Sequence, residues 1–352
     1  MAALAILALL ASLQGPVPVL RPAPLIRPAR PVVAPEAGFH RGVCWVGGDE
    51  ETELRRLREL GVDWISVTPF GYGHPGRGLV PESYRASRHR GESLDDVRRV
   101  TRRARALGLK VMIKPHLWVF HRDGFWRGEI TYQRDEDWQA WFHAYGTFLE
   151  PFVRMAAEEG AEAFCVGTEL AGTVGQVERW TGMIRRIRAI YPGRLTYAAN
   201  WYKEFEEVGF WGELDWVGVQ GYFPLVDFDD RNPSHAELVA GWRPWLDKLD
   251  ALSKRVGRKV LFTEIGYKPV TGTTHKPWEW RSGSPFDADA QAEAWGGFFD
   301  AIRGRDSISG SYVWKWFAHV GGRGWRNSKE FTPQGLPAER VIAERYKALG
   351  GR

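Results

Sequence analysis

Short apolar runs alternate with longer amphipathic runs along most of the chain, and this alternation sets the first prediction of its fold. After residue 37, eight runs rich in β-branched and aromatic residues are typical of buried strands. They span residues 40–45, 62–70, 110–118, 163–170, 194–201, 216–223, 259–267 and 309–316. Strands that alternate with helices favour a parallel sheet with crossover helices.

The segments between these runs have the spacing of amphipathic helices. Leu54, Leu57 and Leu60 recur every three residues in segment 51–60. Ser93 stands before the next helical segment with Asp96 three residues on, which indicates an N-terminal capping box. The other predicted helices span residues 93–107, 137–160, 174–190, 234–256 and 287–303.

These strand and helix units predict an α/β protein built as a single (β/α)8 TIM barrel. A doubly wound open sheet is the main alternative, because it has the same alternation of elements. A dinucleotide-binding sheet of that kind carries a G-x-G-x-x-G turn after its first strand. Here the first strand leads into Val-Gly-Gly-Asp at residues 46–49, which lacks that pattern. We therefore favour the barrel.

The first 37 residues differ in character from the rest of the chain. Residues 1–20 begin with a short apolar run that resembles a secretory signal peptide, although a basic segment before it is missing. Residues 21–37 are rich in Pro and Val and predict a linker, which assigns residues 38–352 to the barrel. The apolar run is too short to cross a bilayer. We expect a secreted or periplasmic protein without an integral membrane span.

The tryptophan content and the net charge indicate which class of molecule the protein binds. The chain holds 18 tryptophans among 352 residues. Core packing uses some of them, but indole rings also stack on the flat faces of sugars, which favours a carbohydrate ligand. The net charge of +5 is small, and basic residues lie mostly on helical segments such as 97–105 and 185–188. These look like solvated faces, so no nucleic-acid partner is expected.

The cysteines and histidines indicate neither a disulfide nor a metal site. The sequence has two cysteines, Cys44 and Cys165, and each lies inside an apolar strand-like run. An even number in an exported protein would permit a disulfide. Small buried thiols are common in such runs, however, so we favour two free cysteines. No Cys and His cluster has the spacing of metal ligands.

Two glutamates stand where predicted strands end. Glu169 closes the fourth strand and Glu264 the seventh, each directly after a threonine. Barrel enzymes form their active sites at the carboxyl ends of the strands. One such glutamate is more often solvated or salt-bridged, but glycoside hydrolysis needs a pair of them. By the same rule Asp63 and Asp215, at strand starts, are predicted to be structural.

Further candidates for substrate binding gather at the same predicted edge. Tyr222, at the end of strand six, is expected to hydrogen-bond the carboxylate of Glu264, with a simple rim aromatic as the equal alternative. His116 alone fits a structural histidine equally well. The aromatic loop 268–286 is interpreted as one wall of a cleft, or else as a packed Ω-loop. The full set comprises Lys114, His116, Trp118, Thr168, Asn200, Trp201, Tyr222, Trp278 and Trp314.

The sequence resembles glycoside hydrolase clan A and, within it, family 113. The resemblance rests on Lys-Pro-His-Leu-Trp at 114–118, Cys-Val-Gly-Thr-Glu-Leu at 165–170, Phe-Thr-Glu-Ile-Gly-Tyr at 262–267 and Trp-Lys-Trp at 314–316, with a less specific tail at 331–338. It implies retaining, endo-acting hydrolysis of β-1,4-mannan or glucomannan. It gives Glu169 the acid/base role and Glu264 the nucleophile role, and it implies no metal or organic cofactor.

One position departs from the clan pattern. Clan A members commonly carry Asn immediately before the acid/base, where it contacts the sugar 2-hydroxyl. This sequence has Thr168 there. Either Thr168 makes a shorter contact, or Asn200 on the neighbouring strand supplies the amide. Mannose and glucose differ at that hydroxyl, so the departure bears on which sugar is bound.

The expected mechanism is double displacement, which requires carboxyl groups about 5–5.5 Å apart. We expect a monomer that acts on a β-linked polysaccharide or oligosaccharide. Three alternatives stay open. The first is a clan A hydrolase of another β-glycan or of a β-mannoside. The second is a non-catalytic carbohydrate-binding barrel. The third is lyase or aldolase chemistry through a Schiff-base lysine, for which Lys114 and Lys315 are the candidates.

Overall fold

A closed barrel of eight parallel strands forms the centre of the protein. The computed structural model describes residues 38–74, 78–80, 91–119, 125–320 and 328–350. The barrel strands are β1 (His40–Val46), β2 (Trp64–Val67), β3 (Lys110–Ile113), β4 (Ala163–Thr168), β5 (Arg194–Ala199), β6 (Val217–Gln220), β7 (Val260–Ile265) and β8 (Ile308–Phe317). Each pairs with the next along the chain, and β8 pairs with β1 to close the ring. The predicted (β/α)8 barrel is confirmed.

Helices follow the barrel strands in turn. They are α1 (Glu51–Glu59), α2 (Leu94–Ala106), α3 (Asp135–Glu158), α4 (Val177–Ile190), α5 (Glu204–Glu207), α6 (His235–Val256), α7 (Ala288–Ala301) and α8 (Pro337–Gly350). The Ser93 hydroxyl caps α2 by accepting the backbone N–H of Asp96 at 3.1 Å, but the Asp96 carboxylate accepts that same hydroxyl at 2.8 Å and not the Ser93 N–H that the predicted capping box requires. The predictions contained neither α5 nor α8, and the helix predicted from residue 174 begins at Val177 after a short 3-10 turn, Ala171–Thr173.

Each of two predicted strands joined a barrel strand to a second strand, and proline explains both errors. Four other predicted strands, 163–170, 194–201, 216–223 and 259–267, extended by a few residues past the observed ends. The runs 62–70 and 110–118 each contain a proline, Pro69 and Pro115, which lacks the N–H that a continuous sheet ladder needs. The barrel strands therefore end at Val67 and Ile113. The chain then forms separate strands, Phe70–His74 and His116–Val119, which pair with each other and with Gly78–Val80 in a small second sheet. This sheet carries His116 and Trp118 beyond the end of β3.

Packed aromatic rings fill the barrel at the amino ends of the strands. The His40 ring stacks on Trp64 with centroids 4.2 Å apart and meets the edge of Trp216 at 5.0 Å. Cys44 and Cys165 belong to the same interior cluster, and both are buried free thiols, as predicted. Because this end is filled by side chains, a substrate cleft can open only at the carboxyl ends of the strands.

The aspartates at the strand starts make structural contacts. Asp63 accepts the backbone N–H of Arg41 at 2.9 Å and pairs with its guanidinium at 2.8 Å. Asp215 accepts the backbone N–H of Leu195 at 2.7 Å and the guanidinium of Arg188 at 2.9 Å. These bonds tie neighbouring strands and helices together at the closed end of the barrel. The structural interpretation of both residues agrees with this geometry.

The predicted signal peptide at 1–20 and linker at 21–37 lie outside the described residues. Within the described part of the chain, no helix is both long and apolar enough to cross a membrane.

Asp215→Ala tests the division between the two ends of the barrel. The substitution leaves the Leu195 N–H without its acceptor and Arg188 without its partner. We therefore expect the free energy of unfolding to fall by about 2–3 kcal/mol, while any activity of the folded protein stays unchanged. Urea denaturation and an activity assay measure the two effects. The exposed Asp306, which precedes β8, supplies the control Asp306→Ala. Lost activity at unchanged stability would contradict the assignment.

Candidate active site

The two predicted glutamates both lie at the open end of the barrel. Glu264 is the penultimate residue of β7, and Glu169 directly follows the last residue of β4. Their exposed fractions are only 4% and 8%. Carboxyl groups this buried must be hydrogen-bonded or paired with charge, since an isolated buried charge is costly. Their partners therefore define what each can do.

Glu264 is surrounded by three hydrogen-bonding groups. Lys114, just beyond the end of β3, places its ammonium 2.5 Å from Oε1 and donates a second bond to the Thr263 carbonyl at 2.9 Å. His116 Nε2 lies 3.4 Å from the same oxygen. The hydroxyl of Tyr222 donates to Oε2 at 3.0 Å, which is the hydrogen bond expected from the sequence.

These neighbours hold Glu264 in its charged form. Burial alone would raise the pKa of Glu264, but the charge of Lys114, the nearby imidazole of His116 and the hydrogen bond from Lys114 outweigh it, so the pKa lies well below its ordinary value. Burial also raises the pKa of Cys44 to about 12, which leaves a neutral thiol beside Lys114. The carboxylate of Glu264 is therefore the anion that compensates the buried ammonium of Lys114.

His116 contributes a neutral ring to this cluster. Burial lowers the pKa of its imidazole to about 4, so the ring is uncharged near neutral pH. The indole of Trp314 lies parallel to it, with centroids 6.1 Å apart and an interplanar angle of 7°. The same indole lies 5.7 Å from the ammonium of Lys114. Trp314 thus forms an apolar wall beside the cation and the imidazole that contact Glu264.

Glu169 has a different set of partners. The Arg127 guanidinium contacts its Oε2 and also donates to the Thr168 carbonyl at 3.2 Å. The side-chain amide of Asn200 donates to Oε1 at 2.8 Å. Glu169 adopts a left-handed backbone conformation, with φ of 52°, which is uncommon for a residue other than glycine. Such strain often accompanies functional positions.

Tyr222 links the two glutamates electrostatically. Burial and then the negative charge of Glu264, with a smaller effect from Glu169, raise the pKa of the Tyr222 hydroxyl well above its ordinary value. Tyr222 is therefore a neutral phenol that donates a hydrogen bond to Glu264. The separation of about 5–5.5 Å that retention requires stays a prediction.

The departure at position 168 has a structural explanation. The Thr168 side chain is buried, and its hydroxyl lies 3.5 Å from the Pro115 carbonyl and 3.9 Å from the Cys165 thiol. Asn200, the other candidate for the sugar contact, donates instead to Glu169, while its side-chain oxygen accepts the N–H of Tyr202 at 2.8 Å. Both side chains are thus engaged with the protein itself.

The other predicted tryptophans lie around the mouth of the barrel. Trp201, after β5, stacks on Trp278 with centroids 4.6 Å apart, which joins the 268–286 loop to the rim. That loop closes on itself through a bridge between Val270 and Phe286. Trp278 and Trp118 keep 41% and 50% of their surface exposed. Exposed indoles on an anchored loop and on the small sheet fit the interpretation of a cleft wall.

Sequence reasoning missed Arg127, the cation closest to Glu169. It comes from a short 3-10 turn, Arg127–Glu129, in the connection between β3 and α3. No local pattern distinguishes it from the other arginines of the chain.

Among the described residues, no three His, Cys, Asp or Glu side chains are grouped so as to hold a metal ion.

A closed (β/α)8 barrel with buried glutamates at the ends of β4 and β7 is the architecture of a clan A glycoside hydrolase. The chain belongs to Glycoside Hydrolase Family 113, whose family model matches residues 39–330. The family resemblance seen in the sequence is confirmed, and the protein is a glycoside hydrolase.

Solved structures support this assignment. The GH113 β-mannanase AaManA from Alicyclobacillus acidocaldarius, in complex with ManMIm, is 27% identical with a TM-score of 0.77, over 89% of this chain and 99% of that one. A GH113 β-1,4-mannanase complex is 23% identical with a TM-score of 0.75, over 88% and 99% of the two chains. A GH5_18 protein from Streptomyces cattleya, in complex with Manβ1-4GlcNAc, shares the fold at 16% identity and a TM-score of 0.56, over 87% and 79%. No curated protein matches the chain significantly.

Lys114→Met tests the charge balance at Glu264. Without the ammonium, burial is opposed only by the neutral groups of Tyr222 and His116, so the pKa of Glu264 should rise from its value in the wild type. A carboxylate is charged above its pKa and neutral below it, so activity that needs the anion should be lost at higher pH than in the wild type. The pH profile of kcat/KM and a ¹³C NMR titration of Glu264 measure the shift.

Tyr222→Phe is the matched comparison for this prediction. It removes a neutral hydrogen bond to the same carboxylate, so the pKa should move in the same direction but by less. An acid limb that stays in place in Lys114→Met, with the protein folded by circular dichroism, would show that Lys114 does not hold the charge.

Proposed function

We propose that this enzyme is a retaining β-mannanase that cleaves β-1,4-mannan or glucomannan, with Glu264 as nucleophile and Glu169 as acid/base. The observation that carries the assignment of the nucleophile is the environment of Glu264. Glu264 has a buried ammonium and a phenol that keep it ionised. A permanently charged carboxylate suits the nucleophile, and its partner supplies the proton.

In the first step the Glu264 carboxylate attacks the anomeric carbon. The bond from that carbon to the departing sugar oxygen breaks, and Glu169 gives its proton to that oxygen. The product of this step is a glycosyl ester on Glu264. Glu169 is then a carboxylate, and the guanidinium of Arg127 beside it compensates the new charge.

In the second step Glu169 acts as the base. It removes a proton from water, whose oxygen attacks the anomeric carbon and displaces Glu264. Two inversions at one carbon give net retention, and both glutamates return to their starting forms. Tyr222 donates to Glu264 in the resting state and keeps the attacking carboxylate oriented between cycles.

Aromatic and polar groups around the pair are suited to binding a sugar chain. We assign Trp314, which lies beside Lys114 and His116, to the sugar that undergoes cleavage. The stacked pair of Trp201 and Trp278, with Trp118 on the small sheet, offers further flat faces for neighbouring sugars. Mannan as the substrate rests on the resemblance to the β-mannanase of Alicyclobacillus acidocaldarius.

A second specificity is favoured by one observation. Thr168 stands where the clan pattern has the asparagine that contacts the 2-hydroxyl, and its side chain is buried. An enzyme that recognises the 2-hydroxyl less strongly could also bind and cleave other β-glycans or a β-mannoside. Assays on mannan, glucomannan, cellulose and xylan separate these cases, and release of reducing sugar excludes a purely binding barrel.

We also propose that the protein is exported and acts as a monomer with no nucleic-acid partner. The support is the apolar run within residues 1–20 and the modest net charge of +5. Mass spectrometry of the protein from the extracellular or periplasmic fraction should find residues 1–20 removed. An intact first segment on protein retained in the cytoplasm would contradict export.

The stereochemical prediction follows from double displacement. ¹H NMR of early time points should show the β-anomer of the new reducing end first, with the α-anomer appearing later by mutarotation. An enzyme that releases the α-anomer first would be inverting, and that result would exclude the covalent intermediate.

Glu264→Ala and Glu169→Ala should each reduce turnover by about 10³-fold or more, with little loss of folding. On a 2,4-dinitrophenyl β-mannoside, whose leaving group departs without a proton, sodium azide should rescue both variants, because the anion fills the space of the missing carboxyl group. Glu264→Ala should yield the α-glycosyl azide and Glu169→Ala the β-glycosyl azide. Loss of the folded state in either variant would mean that the glutamate is structural, and exchanged azide configurations would reverse the two roles.

A further inference from the structure

A third carboxyl group, Glu204, lies buried near Glu169 and takes no part in the reaction described above. It begins the short helix α5 and is only 1% exposed. Its two hydrogen-bond donors are neutral, and burial raises the pKa of its carboxyl group to about 8. A buried carboxyl group without a cation as hydrogen-bond partner costs stability. Its position therefore calls for an explanation in function.

One side of Glu204 connects to the backbone of the acid/base. Oε1 accepts the hydroxyl of Tyr197 at 2.5 Å, and that hydroxyl in turn accepts the backbone N–H of Leu170 at 2.9 Å. Leu170 directly follows Glu169, whose own N–H donates to the Ala198 carbonyl at 2.9 Å. The amides on both sides of the left-handed Glu169 are thus held by residues of β5.

The other side of Glu204 connects to the carboxyl group of the acid/base. Oε2 accepts the backbone N–H of Asn200 at 2.6 Å. The side-chain oxygen of Asn200 accepts from Tyr202 at 2.8 Å, so its amide nitrogen faces Glu169 and donates to Oε1 at 2.8 Å. Glu204 therefore fixes the residue that orients the Glu169 carboxyl group.

We propose that Tyr197 and Glu204 form a positioning pair that sets the backbone and the carboxyl group of Glu169 for proton transfer. This inference rests on the acid/base role proposed for Glu169. Proton transfer to a leaving oxygen depends steeply on geometry. An acid held in a strained backbone conformation needs such external support, because the strain would otherwise relax.

The pair contacts Glu169, the proposed acid, and not Glu264, the proposed nucleophile. Removing the pair should therefore slow the cleavage of some substrates and not of others. A sugar is a poor leaving group, so its departure needs the proton from Glu169. A 2,4-dinitrophenolate departs without a proton. Since kcat/KM reports only the steps up to the first bond cleavage, a misplaced acid slows cleavage of an oligosaccharide and spares the dinitrophenyl glycoside. Partial unfolding or damage to the nucleophile slows both.

The test compares kcat/KM on mannopentaose and on 2,4-dinitrophenyl β-mannobioside. Tyr197→Phe removes only the hydroxyl, and Glu204→Leu removes both acceptor oxygens. Each should lose about 10- to 100-fold on mannopentaose and stay within about 3-fold on the activated substrate. In Glu204→Gln, the side-chain oxygen can still accept the Asn200 N–H, and the side-chain NH2 group can donate to the Tyr197 oxygen. This variant should therefore recover most of the kcat/KM on mannopentaose that Glu204→Leu loses.

Two matched controls separate positioning from stability. Tyr191 is also a buried tyrosine, and its hydroxyl donates to the Ala161 carbonyl at 2.6 Å near the start of β4. Tyr191→Phe should lower the unfolding temperature without changing the ratio of kcat/KM on mannopentaose to kcat/KM on the dinitrophenyl glycoside. Glu207, exposed on the same short helix as Glu204, supplies Glu207→Leu, which should change neither. Equal losses on both substrates, or no loss, in Tyr197→Phe and Glu204→Leu would overturn the proposal.

A second readout does not depend on the substrate. Crystal structures of Tyr197→Phe and Glu204→Leu should show Glu169 out of its left-handed conformation or its carboxyl group released from Asn200. An unchanged Glu169 in both variants would overturn the positioning role. Failure of the wild-type enzyme to cleave either substrate would instead contradict the proposed mannanase function, and the crystal structures would still decide whether the pair positions Glu169.

Discussion

The contact between Lys114 and Glu264 is the interaction on which the rest of the site depends. Moving either charge out of water costs several kcal/mol, and only the opposite charge at hydrogen-bond distance compensates for it. In the barrel, β3 and β7 lie on opposite sides, so the ion pair spans the mouth. Trp314 and Tyr222 complete its surroundings. A buried carboxylate that stays ionised is the starting point of the proposed reaction.

In the proposed mechanism, the two glutamates at the same barrel edge take different chemical roles because their neighbours differ. Glu264 is fixed by a point charge and a phenol, while Glu169 is fixed by a guanidinium, an amide and the backbone of the adjacent strand. The first arrangement stabilises one charge state. The second fixes the position of the carboxyl group, which suits the acid/base role proposed for Glu169. This division follows from parallel strands that all end on one side of the barrel.

The sequence predicted those parts of the site that follow from strand ends. Glu169, Glu264 and Tyr222 were found because the carboxyl ends of barrel strands meet on one edge. The predicted strands 62–70 and 110–118 each joined two separate strands, because Pro69 and Pro115 divert the chain into a second sheet. Arg127 was missed because its contact with Glu169 joins two separate connections of the fold and leaves no local pattern. Glu204 was missed although its contacts, Tyr197 and Asn200, are near it in the sequence, because the link from Asn200 to Glu169 forms only when β4 and β5 pair.

The identity of the nucleophile is the central claim, and trapping tests it most directly. In a 2-deoxy-2-fluoro mannosyl fluoride, the fluorine at C2 slows both steps, and fluoride departs without a proton, so the covalent intermediate accumulates. Mass spectrometry of the digested protein should place the sugar on the peptide that contains Glu264, and excess mannan should protect it. A sugar attached to Glu169 or to another side chain, or an enzyme that turns over mannan without ever being labelled, would contradict the account.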